Sequence, residues 1–208
     1  MTQAGTIPAA RRPMPERMTY EEFLAYPHEN QHVEWVDGRV VTMASVTDKH
    51  AIVFGFLYIV LDLFTERRGH GVVRSDPFNM KVGPKLPGRQ PDVLFLSNAN
   101  MSRLRPSHLN GPADLVIEVI STGSRRTDRV DKFQEYEQGG VREYLIADPD
   151  YNLVELYRLA GPRYEQVLPD EGGKLHFETV PGFFVKVDWL RQWPLPSKTA
   201  VLKELGVA

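Results

Sequence analysis

"PADLVIEVIS", residues Pro112 to Ser121, is the stretch on which the reading of this fold turns. By the two-residue period of a strand, Leu115, Ile117 and Val119 share one face, and Val116, Glu118 and Ile120 share the other. Apart from Glu118 both faces are apolar, so the segment reads as an interior strand covered on both sides. An ionised carboxylate in that setting is costly unless its pKa rises, a cation pairs with it or a metal binds it. The partner of Glu118 is therefore the central question of the sequence.

On either side of this strand the chain alternates between helical and extended patterns. Downstream, "TDRVDKFQEYEQGG" has acidic residues near its start and Gly139-Gly140 at its end, which predicts a helix. "REYLIADP" then reads as a second apolar strand. "NLVELYRL", "RYEQVL", "KLHFETV" and "FFVKVDWL" follow as short strands of a β-meander, and "KTAVLKELGVA" closes as a small helix. Upstream, "PDVLFLS" and "GVVRSDPFNMKV" read as strands joined by a loop rich in Gly and Pro. A long helix is expected from Asp48 to Arg68, capped by Thr47 or Asp48 and stopped by Gly69 and Gly71. Its apolar residues nearly encircle it, which predicts deep burial. "HVEWVDGRVVTMA" has the pattern of a hairpin turning at Asp37-Gly38, and "TYEEFLAYP" that of a short helix with Thr19 and Glu22 in capping-box spacing. The expected fold is a mixed α/β (α+β) domain over residues 18–195, with helices around a central sheet. A loose tail over residues 1–17 precedes it, and an extension over 196–208 follows.

Bulk properties narrow the classes. A chain of 208 residues suits one domain with a sizeable core. A net charge of −2 gives no global basic field, so any nucleic-acid binding must rest on a local patch. The absence of Cys removes disulfides, thiolate metal sites and Cys nucleophiles, and is compatible with a cytoplasmic protein. "AIVFGFLYIVL" stops at Asp62 and is too short to span a bilayer. No phosphate-loop, nucleophile-elbow or His-Glu-x-x-His motif occurs.

A second carboxylate stands in a position like that of Glu118. Asp92 follows Pro91 and opens "VLFL", at the mouth of a strand. Two acids from distant strands can converge on one hard cation such as Mg²⁺, which takes one or two carboxylates plus phosphate and water. For Asp92 alone, an ordinary loop ending is the competing reading, and for Glu118 a buried salt bridge. The usual nuclease pattern Glu-x-Lys would put Lys at position 120, where this chain has Ile120. Lys132 occurs instead on the following helix, four residues after Asp128, and a solvated i, i+4 pair is the simplest account of it. Val130 and Phe133 are expected on the buried side of that helix. Tyr136, one turn beyond Lys132, reads as packing.

"HVEWVDGRVV", "TDKH", "RQPDVLFLS" and "ADLVIEVISTGSRRTDRVDKFQEYEQGGVREYLIADP" together resemble the Uma-two family, restriction-endonuclease domains of bacteria within the PD-(D/E)XK nuclease superfamily. The resemblance runs from about Met18 to Trp189. It implies a restriction-endonuclease-like fold with a metal site at a split in the sheet. Asp92 and Glu118 would be ligands of Mg²⁺ or Mn²⁺, with the backbone carbonyl of Val119 as a further donor. Lys132 would be the active-site lysine, moved to the next helix, and Glu34 and His50 would be its neighbours. From the residues alone, Glu34 reads as an outward-facing acid and His50 as a cap or solvent-facing ring. Arg125, Arg126 and Arg129 form a cationic cluster that could hold phosphates of a DNA partner, or simply a solvated helix start. This chain has Trp35 where Leu or Ile is common in the family, and Ser121-Thr122-Gly123 where Ser-Pro-Ser is common. The implied activity is metal-dependent hydrolysis of DNA phosphodiesters by a homodimer. A nuclease-like scaffold that only binds or regulates is the alternative, and a glycosidase, which would leave Lys132 without a task, is a weaker one.

Overall fold

The computed structural model describes residues 15–26, 32–43 and 45–207. Most of the tail expected over residues 1–17 lies outside them. A six-stranded sheet forms the centre of the molecule, in the order β11-β10-β9-β8-β6-β3. Its strands are β3 (Gly71–Ser75), β6 (Val93–Ser97), β8 (Leu115–Val119), β9 (Glu143–Asp148), β10 (Leu153–Ala160) and β11 (Arg163–Val167). Only β8 and β9 pair in parallel, with Glu118 opposite Ile146, and the other neighbours are antiparallel. This pair is joined through a crossover helix, as parallel strands require.

The two faces of β8 enter different cores, as its alternation predicts. Leu115, Ile117 and Val119 pack with α2 (Asp48–Arg68), α4 (Val187–Arg191) and α5 (Lys198–Glu204). Val116 and Ile120 pack on the other side with Tyr136 and with Met80 of the second sheet. That sheet has the order β2-β1-β5-β4-β7, from β1 (Val33–Val36), β2 (Arg39–Thr42), β4 (Asn79–Lys81), β5 (Gly88–Arg89) and β7 (His108–Asn110).

Local signals act where they stand. Thr47 accepts the His50 N–H to start α2, and Gly69 ends it in the left-handed region at φ 64°. Asp37 and Gly38, at φ 49° and 82°, make the tight turn between β1 and β2. Thr19 and Glu22 form the reciprocal capping box of α1 (Tyr20–Ala25). Gly88 has no side chain because a Cβ there would come within 2.4 Å of the Tyr20 ring, and this close approach seats β5 beneath α1.

Three expectations need correction. "FFVKVDWL" is only half strand: β13 (Phe184–Lys186) pairs with β12 (Lys174–His176), and α4 then begins at Val187. α2 is not buried all round, since Ile52 and Ile59 are exposed on one side. The crossover helix is not a plain α-helix either. Thr127–Asp131 forms a wider π-turn before α3 (Lys132–Gly139), and the Lys132 N–H reaches back five residues to the Thr127 carbonyl. Among the described residues no helix is long and apolar enough to cross a membrane.

Candidate active site

Glu118 is buried near the end of β8, and its partners come from three directions. Lys132 Nζ and the Tyr136 hydroxyl both donate to Glu118 Oε1, each at 2.9 Å. Among the described residues, its other oxygen, Oε2, accepts only a long 3.5 Å contact from the Asp92 N–H. Burial pushes the Glu118 carboxyl well above the ordinary range; Lys132 opposes the rise, while Asp128 and Asp92 add to it.

Asp92 lies just before β6, the neighbour of β8. Its Oδ2 accepts the Val119 N–H at 2.6 Å and stands 3.2 Å from His50 Nε2. His50 is buried rather than capping in solvent, and its ring stacks on Phe54. Val119 thus meets Asp92 through its amide. Oδ1 of Asp92 accepts no hydrogen bond from any described residue.

The π-turn determines how Lys132 and Asp128 are presented. The widened turn rotates the helix so that both point inward, leaving Val130 exposed where burial was expected. Lys132 Nζ then lies 2.9 Å from Glu118, 3.1 Å from Asp128 and 3.6 Å from Glu34. The solvated i, i+4 pair is therefore corrected to a buried one. Burial alone would lower the Lys132 ammonium, but Glu118, Asp128 and Glu34 hold it well above its ordinary value.

Glu34 is likewise fully buried rather than outward-facing. Arg89 Nη1 donates to it at 2.7 Å and the Gln90 N–H at 3.1 Å. Burial alone would raise the Glu34 carboxyl, yet Lys132 and Arg89 bring it below the ordinary value. Arg89 also grips Glu135 of α3 through two hydrogen bonds at 2.6 and 2.7 Å. A chain of alternating charge thus runs Glu135–Arg89–Glu34–Lys132–Glu118, tying the smaller sheet to the helix and to β8.

Sequence reasoning missed Arg89, and it assigned Tyr136 to packing. Tyr136 carried a signal, since its i+4 spacing from Lys132 puts both on one helical face. Arg89 carried none, because its role arises only where β5 meets α3. The Arg cluster is largely committed elsewhere. Arg125 donates to Asp148 at 3.1 and 3.2 Å, and Arg129 to Glu155 at 2.5 Å. Arg126 is exposed.

These groups line a cleft of about 400 Å³ that opens beside the β1–β2 hairpin. Six acids line it: Glu34, Asp76, Asp92, Glu118, Asp128 and Asp131. Among the described residues no three His, Asp or Glu side chains converge into a ready metal cage. The two-carboxylate set of Asp92 and Glu118 nevertheless suits a hard divalent ion, which fills its remaining positions with water and phosphate oxygen. Each of the two offers an oxygen with little or no hydrogen bonding, in a cleft where acids outnumber cations.

A family model described as "Putative restriction endonuclease", Uma2, matches residues 20–188. The chain belongs to the Uma2 (Uma-two) family. That span takes in β1 through the start of α4, and with it every residue of the charge chain. Among solved structures, the fold resembles the crystal structure titled as a putative nuclease belonging to DUF820 from Anabaena variabilis ATCC 29413. The TM-score is 0.68 at 18% identity, over 85% of this chain and 98% of that one. No curated protein matches the chain. The Uma2 chain thus has the mixed α+β architecture of a nuclease-like fold, as the resemblance implied.

Proposed function

We propose that this protein is a metal-dependent endonuclease that hydrolyses DNA phosphodiester bonds. The observation that carries the reading is the convergence of Asp92, Glu118 and Lys132, from two neighbouring strands and the helix after them, in one acidic cleft. Asp92 and Glu118 would hold Mg²⁺ or Mn²⁺, with the Val119 carbonyl as a further donor. Such an ion, when bound, makes water a stronger acid and offsets charge on the phosphate.

The chain's own residues have separable tasks. The Val119 N–H and His50 hold Asp92 Oδ2, which leaves Oδ1 directed to other partners. Lys132 and Tyr136 hold Glu118 Oε1 and leave Oε2 with one long contact from the Asp92 N–H. Lys132 is surrounded by three carboxylates and stays protonated, so it does not take the proton from attacking water. It acts as a fixed positive charge that offsets part of the rise burial imposes on Glu118 and adds to the attraction for phosphate. In the reaction a water oxygen forms a new bond to phosphorus and gives up a proton to solvent, while the bond from phosphorus to the leaving sugar oxygen breaks and that oxygen takes up a proton from solvent.

The test is calorimetric titration of Mn²⁺ into wild type and Asp92→Asn, with and without a short DNA oligonucleotide, alongside a cleavage assay. One specific site in wild type, lost together with cleavage in Asp92→Asn, is the expected result. Absence of specific binding even with DNA present would make Asp92 and Glu118 structural acids and favour an inert nuclease-like scaffold.

A further inference from the structure

The lining of the cleft also includes aliphatic side chains. Val36 of β1, Val41 of β2, and Met43 and Val46 beyond the hairpin line the same space as Asp92 and Glu118. Val41 and Val46 are 41% and 54% exposed, so this surface is not part of the packed core. A cleft lined by both acids and partly exposed aliphatic side chains matches a ligand that has a charged part and a flat, apolar part.

The basic side chains of the cleft bear on which form of nucleic acid can enter. His32 pairs with Asp76 at 2.6 Å, and His50 with Asp92. Arg89 and Lys132 are enclosed by the acids already described. Among the described residues, no unpaired cation lines the cleft. Duplex DNA is bound chiefly through many Lys and Arg contacts to its phosphates. Binding energy here must come largely from apolar and stacking contacts, and base faces are available for these only when a base is unpaired.

A second, independent observation lies at the same end of the sheet. Tyr151, in the turn that follows β9, is 63% exposed. The Arg125 guanidinium stacks 4.3 Å from its ring centre, while Asp148 holds that guanidinium in place. β9 runs parallel to β8, with Val119 opposite Ala147, so this turn follows the strand end next to Glu118. An exposed aromatic ring backed by a fixed guanidinium is a platform for an unpaired base.

We infer that the site takes an unpaired nucleotide, with its phosphate toward Asp92 and Glu118 and its base against Val36, Val41, Met43 and Val46. A neighbouring base stacks on Tyr151. The preferred substrate is then single-stranded DNA, or a frayed or flapped end, rather than an intact duplex. This rests on the nuclease reading and specifies its substrate.

The test compares a single-stranded dodecamer with the matched duplex. Binding is followed by fluorescence anisotropy in Ca²⁺, and cleavage in Mn²⁺. The single strand is expected to bind about tenfold more tightly or better, the scale of one or two stacked bases. Val46→Ser and Tyr151→Ala should each weaken single-strand binding about threefold to tenfold and leave duplex binding unchanged. Both positions are exposed, so both variants fold. Equal or tighter binding and cleavage of the duplex overturns the inference and leaves the nuclease reading intact. Single-strand binding unaffected by both substitutions also overturns it. Cleavage of neither substrate, without specific Mn²⁺ binding, removes both readings together.

Discussion

Two buried glutamates stand on adjacent parallel strands at opposite ends of the pair, and their surroundings differ in kind. Glu143 opens β9, opposite Leu115, and both its oxygens are fully used. Arg158 pairs with it at 2.9 Å, the Glu178 and Thr179 amides donate at 3.0 and 2.9 Å, and the Thr179 hydroxyl donates at 2.5 Å. Glu118, near the end of β8, places both strong donors on one oxygen and leaves the other with a single long contact. Glu143 ties the C-terminal segment to the sheet. Glu118 is held by one side only, among other acids, and so remains able to bind a cation. Burial of a carboxylate does not by itself separate structure from chemistry; the saturation of its oxygens does.

The sharpest way to break this comparison is to remove the cation that the acidic site shares. Lys132→Ala leaves Glu34, Glu118 and Asp128 buried without it, and should cost about 5 kcal/mol near neutral pH, at the top of the range for a broken buried pair. Urea unfolding measures this, and a smaller loss at lower pH is expected as Glu118 takes up a proton. Glu143→Ala strands Arg158 and the two amides, and should cost about 3 kcal/mol by the same measurement, with Mn²⁺ binding retained in the remaining folded protein. Glu118→Gln should change stability by about 1 kcal/mol or less, since it replaces an acid whose charge is opposed by burial, yet abolish specific Mn²⁺ binding. Equal stability losses in Glu118→Gln and Glu143→Gln would erase the contrast.

pH separates Glu118 from Glu34 in sign. Glu118 is raised in the fold, so its contribution is complete below the ordinary glutamate value and is lost as pH climbs through the raised one. Glu34 is lowered, so its contribution is complete above the ordinary value and is lost as pH falls through the depressed one. Unfolding free energies compared from pH 2 to 8 should therefore separate Glu34→Gln from wild type below the ordinary glutamate value, and Glu118→Gln from wild type above it. Because a cation displaces the Glu118 proton, Mn²⁺ affinity should strengthen as pH rises through the same window. The smallest effect belongs to Tyr136→Phe. It removes one donor to Glu118, costing about 1 kcal/mol and raising the Glu118 carboxyl further, which NMR titration of that side chain would register.

Much of this architecture was legible because its causes are local. The cap at Thr47, the stop at Gly69 and the tight turn at Asp37-Gly38 each act within a few residues, and α2 and the first hairpin follow from them. The alternation of β8 was legible too, since a strand exposes its two faces in strict order. The π-turn was not. A pattern of i, i+4 charges is the same whether a turn holds four residues or five, so Val130 is expected inward and the Asp128–Lys132 pair in solvent. The short strands β5 and β7 were also hidden, because runs of two or three residues have no period to read. "FFVKVDWL" misled for a related reason: an apolar run suits a strand and a buried helical turn equally well.

By itself, then, the sequence determined that an acid stands within an apolar strand, that a second opens another strand, and that a lysine follows on the next helix. Its motifs also carried the family. Tertiary structure decided which partners each acid has. Asp92 and Glu118 lie 26 residues apart, and Arg89 and Glu34 lie 55 apart. They meet only because the two sheets and the crossover helix share a core. The physical reason is range: backbone periodicity and capping act over one or two turns of chain, whereas desolvation and charge pairing depend on what packing brings within a few ångströms.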